Sequence, residues 1–236
     1  MRLALIELMG YREWTESLGY DREWLIQEAQ ASIYRSLQDT VSSMRGFAMP
    51  LRHDFLLAVS TGLSREQHEA ILDKVRLESR IPVRMASVPG LNPSEALNKA
   101  HKLLQRVAPG EVEYVDGDDG RTVMAHVDIN GISRKTRERG LVESLVVISE
   151  FIATVTKMAA KHGGIAQYLG GDNIIVLLPD NDYMAFAEAV VEVSDVKVGI
   201  GVSRLPRRAM ELSSKALHMI REDIVPEKIH VIEDRV

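Results

Sequence analysis

Two α+β domains in tandem, each a ferredoxin-like βαββαβ unit, are what this sequence predicts, and three observations predict it. GFAMPLRHDFLLAVSTG (46–62) aligns without a gap on GIAQYLGGDNIIVLLPD (164–180), so that Gly46 meets Gly164, Asp54 meets Asp172 and the apolar runs coincide, at an offset of 118. VRMASVPG (83–90) matches GIGVSRLP (199–206) at an offset of 116, and LALIELMGY (3–11) matches MAHVDINGI (124–132) at 121. Each half also carries period-2 and helix-period segments in the same order. One long period seen twice means a duplicated domain, since a solenoid needs shorter and more numerous units.

In the first half, alternation and apolar runs place strands at 3–9, 46–52, 55–60 and 82–88, with helices at 22–44, 65–77 and 93–106. Ser64-Arg-Glu-Gln67 and Asn92-Pro-Ser-Glu95 have capping-box form, and Pro93 suits a first helical turn. The second half repeats this with strands at 122–129, 164–169, 173–178, 196–202 and 228–233 and helices at 137–162, 182–193 and 207–222. That order belongs to the palm class, with an antiparallel-rich sheet and its helices on one face. APGEVEYVDGDDGRT has the densest turn chemistry, so the boundaries are 1–108, a linker or hairpin at 109–121, and 122–236. DGDDG lacks the terminal Glu of a calcium loop and reads as a plain turn.

With 236 residues and 45% apolar composition, the chain can bury a sizeable core. A net charge of −5 supplies no basic field, which argues against a nucleic-acid partner. No cysteine means no thiolate nucleophile and no zinc site of the CxxC kind, and leaves Asp, Glu, His and carbonyl oxygens as metal donors. MRLALIEL meets Glu7 too early for a signal peptide, and no apolar run is long enough to span a bilayer, so a cytoplasmic location away from membranes is expected.

The chemistry concentrates in the second half. In MAHVDINGI, alternation puts His126, Asp128 and Asn130 on one face and Ala125, Val127 and Ile129 on the other. GGDN (170–173) interrupts an apolar hairpin, where paired glycines mark a tight turn or a close approach. A palm sheet sets the first strand beside that hairpin, so Asp128 and Asp172 are expected to converge on the open face. Two carboxylates about 4 Å apart repel by about 4 kcal/mol at an effective dielectric of 20, which calls for a shared proton or a cation. Sulfur-free oxygen donors favour Mg²⁺. Arg204, after the strand KVGIGVS, and Arg221, near the end of the last helix, are the candidate anion contacts; Lys215 and RKTRER (134–139) read as solvated helix charges. The first half keeps Asp54 but has Glu7 opposite Asp128 and Met9 opposite Asn130, an eroded copy of the site.

GGDN between two strands, the preceding DIN strand and the helix ending ALHMIR resemble the palm of GGDEF and class III nucleotidyl cyclase domains. With IELMGYREWT, GFAMPLRHDFLLAVSTGL, VMAHVDINGIS, YLGGDNIIV and KVGIGVSR in order over nearly the whole chain, the sequence more closely resembles the archaeal GTP cyclohydrolase III family. That resemblance implies a Mg²⁺-dependent hydrolase, with more than one ion or an added monovalent cation allowed. Water would attack C8 of GTP, the imidazole ring would open with the formyl group kept, and the product would be 2-amino-5-formylamino-6-ribosylamino-4(3H)-pyrimidinone 5′-monophosphate with inorganic phosphate. By the same resemblance, Asp128, Asp172 and the Ile129 carbonyl would hold the metal. Asp128, Asp172 and His126 would be catalytic, and Asn130, Gly170, Gly171, Asn173, Arg204, Arg221, Arg52 and Asp54 would meet the substrate. Met9, Gly10 and Phe55 depart from the family pattern. A homodimer or tetramer is expected. Two other readings share the scaffold: a cyclase, in which the 3′-hydroxyl attacks, and a nucleotide-binding sensor without turnover.

Overall fold

A computed structural model describes residues 1–234, so the last two residues of the expected second half lie outside it. The chain divides into two units, Met1–Gly90 with Glu95–Gly120, and Leu91–Ser94 with Arg121–Val236.

In the first unit, β1 (Arg2–Leu8) is followed by α1 (Tyr11–Ser17), α2 (Glu23–Ser43), the hairpin β2 (Phe47–Pro50) and β3 (Phe55–Val59), α3 (Arg65–Glu78), β4 (Val83–Pro89), α4 (Pro93–Leu104) and β5 (Val112–Tyr114). The sheet order is β2-β3-β1-β4-β5. The second unit repeats it: β6 (Thr122–Ile129), α5 (Ile132–Arg139), α6 (Leu141–Lys161), β7 (Ile165–Gly170), β8 (Asn173–Leu178), α7 (Tyr183–Val193), β9 (Val196–Ser203), α8 (Pro206–Arg221) and β10 (Ile229–Glu233), with order β10-β9-β6-β8-β7. The first four strands of each unit form an antiparallel ferredoxin-like sheet, and the fifth adds parallel to the fourth. The repeat extends to backbone conformation, since Gly10 and Gly131, 121 residues apart, both have left-handed φ (67° and 70°) where the first helix begins.

Three differences from the expected elements have local causes. The stretch 109–121, expected as a linker, holds β5, and its Asp119 carboxylate accepts from Arg2 Nε at 2.8 Å, tying the segment to the first strand. The expected helix at 137–162 is two helices, because Gly140 (φ 91°, ψ 165°) breaks the helical path between α5 and α6. The segment before the break, ISRKTRER, is almost wholly polar, so apolar spacing does not mark where the first of the two helices runs. Ser64 does form the expected capping box with Gln67.

The third difference bears on the site. One face of the second sheet is the expected core, where Val123, Ala125, Val127 and Ile129 of β6 join Val198 and Ile200 of β9 against Phe151, Val155 and Ala159 of α6 and Phe186 and Val190 of α7. The other face is not open, because α8 lies across it. Gly199 and Gly201 alternate with those core valines and isoleucines, and a Cβ on either would run into α8 backbone, at Ser213 and Leu217 for the first and Ala209 and Ser213 for the second. Small residues on α8 (Ala209, Ser213, Ala216) and glycines on β9 let backbone approach backbone. The first unit has the same two-sided cover, with α2 and α3 on one face and α4 on the other against Leu5, Ala86 and Val88.

Candidate active site

The site is built where β6 ends, where the β7–β8 hairpin turns and where α8 finishes. Antiparallel register sets Asp128 opposite Asn173 on one side and Lys197 on the other. The hairpin turns through Gly171 and Asp172, with Gly170 and Asn173 paired, and the φ values of 109° and 62° at Gly170 and Gly171 explain the two glycines. Side chains of Asp172 and Asn173 are thereby brought to the end of β6.

Asp128 is buried (5% exposed) and Arg221, from the last turn of α8, grips both its oxygens, Nε at 3.1 Å from Oδ2 and Nη2 in close contact with Oδ1. Burial of a carboxylate demands such a partner. Asn173 joins the parts: its Nδ2 donates to Asp172 Oδ1 at 2.9 Å, and its Oδ1 accepts from His126 Nε2 at 2.9 Å and from Arg221 Nη2 at 3.4 Å. Because the amide nitrogen faces a carboxylate, its oxygen must be the acceptor, which puts the imidazole proton on Nε2. His126 Nδ1 then lies 3.4 Å from the Ser214 hydroxyl of α8. Burial pushes the His126 ring below its ordinary value; the bond to Asn173 opposes this, and Arg221 adds to it. The imidazole is neutral at pH 7.

Asp128, Asp172, Asn173, His126 and Arg221 are thus one hydrogen-bonded cluster, although Asp128 sits beneath α8 and not on an uncovered face. Two expected members lie elsewhere. Arg204 follows Ser203, which pairs with Thr122 at the start of β6, so it stands at the opposite end of the sheet from Asp128. Asn130 turns its amide to Asp195 (2.8 Å), which also meets Lys228 (3.4 Å), because the strand pairing ends at Ile129 and Asn130 lies beyond it. Lys197, Ser214 and Asp195 went unmarked in the sequence. Alternation with Val196 and Val198 puts Lys197 on the polar face, but only the register sets it opposite Asp128.

The first unit has changed chemistry at the matching place. Glu7 pairs with Arg84 at 2.7 Å, and Arg52 pairs with Asp54. Arg52 also lies over the Phe55 ring at 5.5 Å, and the His101 ring meets Phe55 edge-on at 5.5 Å. With Leu5, Leu51 and Leu97 they line a shallow cavity of about 190 Å³. Arg52 and Asp54 neutralise each other here, and Phe55 stands where the second unit has the bridging amide.

The donor set fits Mg²⁺, which takes one or two carboxylates and leaves further positions to water and phosphate oxygens. Asp128 and Asp172 supply two carboxylates, linked through Arg221 and Asn173, although the described residues hold no group of three or more His, Cys, Asp or Glu placed to bind a metal ion.

A duplicated ferredoxin-like sheet with acids at the end of its first strand and in its hairpin turn defines a palm-type protein. The sequence model of GTP cyclohydrolase III matches residues 1–234, and proteins of that name from Aeropyrum pernix and Saccharolobus solfataricus are 39% and 31% identical, covering 96% and 94% of this chain and 94% and 96% of theirs. This chain belongs to the GTP cyclohydrolase III family. Among solved structures it is similar to a GGDEF domain from Pseudomonas aeruginosa (13% identical, TM-score 0.43, covering 61% of this chain and 92% of that one). It is also similar to a bacterial light-regulated adenylyl cyclase (11%, TM-score 0.40, 47% and 74%). Among the described residues no helix is long and apolar enough to cross a membrane.

Proposed function

We propose that this chain opens the imidazole ring of GTP by adding water at C8, keeps the formyl group, and hydrolyses off the two terminal phosphates with two further waters. The products are 2-amino-5-formylamino-6-ribosylamino-4(3H)-pyrimidinone 5′-monophosphate and inorganic phosphate. One observation carries the reading: in a chain of this family, the second unit keeps both acids, the bridging amide and the arginine in one hydrogen-bonded cluster.

Asp128 and Asp172, with the Ile129 carbonyl, would hold Mg²⁺. Bound there, the ion would act as a Lewis acid on phosphate oxygens and lower the pKa of a coordinated water. Arg221 grips Asp128, and its planar donors also suit a phosphate. His126 works through Asn173. Its Nε2–H fixes the amide oxygen, which in turn fixes the Nδ2 that holds Asp172, so His126 is a positioning residue and not the base. Gly170 and Gly171 leave the turn free of side chains, allowing a nucleotide to approach the backbone.

The test is incubation with GTP and Mg²⁺ while guanine absorbance and released phosphate are followed. Loss of the purine chromophore with phosphate release is the expected outcome. A cyclic nucleotide with an intact purine would make the protein a cyclase, and tight binding without product would make it a sensor. Light scattering with and without GTP reads the oligomeric state, for which a homodimer or tetramer is proposed.

A further inference from the structure

We propose that Lys197, the first residue of KVGIGVSR and one given no role in the reading of the sequence, is a phosphate-contacting residue of the candidate site and meets the triphosphate beside Arg221; this rests on the GTP reading. Three observations place it. The register makes Lys197 the direct partner of Asp128, so their side chains share a face of the sheet. Val196 and Val198 on either side are fully buried in the core cluster on the opposite face, which confirms the direction.

The path of α8 gives the second observation. The helix passes over β9 in steps: Gly201 faces Ala209 and Ser213, and Gly199 faces Ser213 and Leu217. Two residues of strand and four of helix cover nearly the same distance, about 6–7 Å. The next step therefore sets Lys197 under the turn from Leu217 to Arg221, at the mouth of the cluster.

Third, Lys197 is half-buried and its ammonium has no hydrogen bond or ion pair among the described residues, whereas the neighbouring Lys228 is paired with Asp195. Arg221 holds Asp128 and Asp172 meets the Asn173 amide, so neither acid of the cluster is paired with Lys197. With a divalent ion held by the two acids, Lys197 and Arg221 are both left facing the ligand. Lysine suits this position, being a compact point charge whose rotatable donors follow phosphate oxygens.

The test compares binding of GTP and of guanosine to the full chain, each with Mg²⁺, by competition against a fluorescent GTP analogue. Lys197→Gln should weaken GTP about 10- to 100-fold, the scale of a lost charged hydrogen bond, and leave guanosine unchanged. Lys197→Arg, which keeps the charge on the same strand, should recover most of the affinity, and both variants should melt near the wild-type temperature. Unchanged GTP affinity in Lys197→Gln, or an equal loss for GTP and guanosine, overturns the assignment of Lys197 alone. A wild-type chain that binds neither molecule overturns the GTP reading and this inference together.

Discussion

Asp172 sits in a two-residue turn where, among the described residues, the one hydrogen bond of its side chain is to the amide of Asn173. Nothing in the core depends on it, while the proposed chemistry does. Asp172→Ala should therefore cost at least about 100-fold in turnover, comparable to removing a group aimed at developing charge, with an unchanged melting temperature. Steady-state assays beside thermal melts check this, and wild-type turnover removes Asp172 from the metal site. At this scale the sequence was informative where alternation or a motif marks a residue, as with Asp128, Asp172, Asn173 and Arg221. It was silent on Lys197 and misleading on Arg204. Both follow from register: a residue's distance from Asp128 along β9 depends on which strand end it pairs with, and no local pattern encodes that.

At the level of elements, the position of α8 determines the site. Its buried stripe (Ala209, Leu212, Ser213, Ala216, Leu217, Ile220) was legible as a helix from spacing, but the face it would cover was not. The signal was present in Gly199 and Gly201, whose missing side chains on the polar face allow a helix to lie there. Gly201→Ala would drive its methyl into the backbone at Ala209 and Ser213. Overpacking of this kind costs about 1–3 kcal/mol, so the variant should unfold at lower denaturant and, with α8 displaced, lose Arg221 from Asp128. Chemical denaturation beside a GTP titration measures both effects. The break at Gly140 and the short β5 were missed for the same kind of reason: each is fixed by backbone conformation or by pairing with a distant strand.

Over the whole molecule, stability should depend on two histidines, His68, which is buried, and His126, which is half-buried. His68 donates from Nδ1 to the Ser64 carbonyl (2.7 Å) and accepts from Ser60 at Nε2 (2.8 Å), and burial pushes its pKa down, as it does for His126. A histidine whose folded pKa is depressed binds more protons when unfolded, so its destabilising effect is absent above the unfolded value of about 6.5 and grows as pH falls below it. Melting temperature should hold from pH 8 to 7 and drop towards pH 5. His68→Gln should flatten that drop, and a profile as steep as wild type would show that His68 does not contribute. Next to His68, Ser87 also meets the buried Arg2, whose guanidinium reaches Asp119, the Val115 carbonyl (2.9 Å) and the face of Tyr114. The second residue of the chain is thus locked by groups more than a hundred positions downstream. During synthesis, β1 can pair with β3 and β4 well before its Arg2 guanidinium finds Val115 and Asp119, so the last lock on this strand closes only once the whole of the first unit has been made.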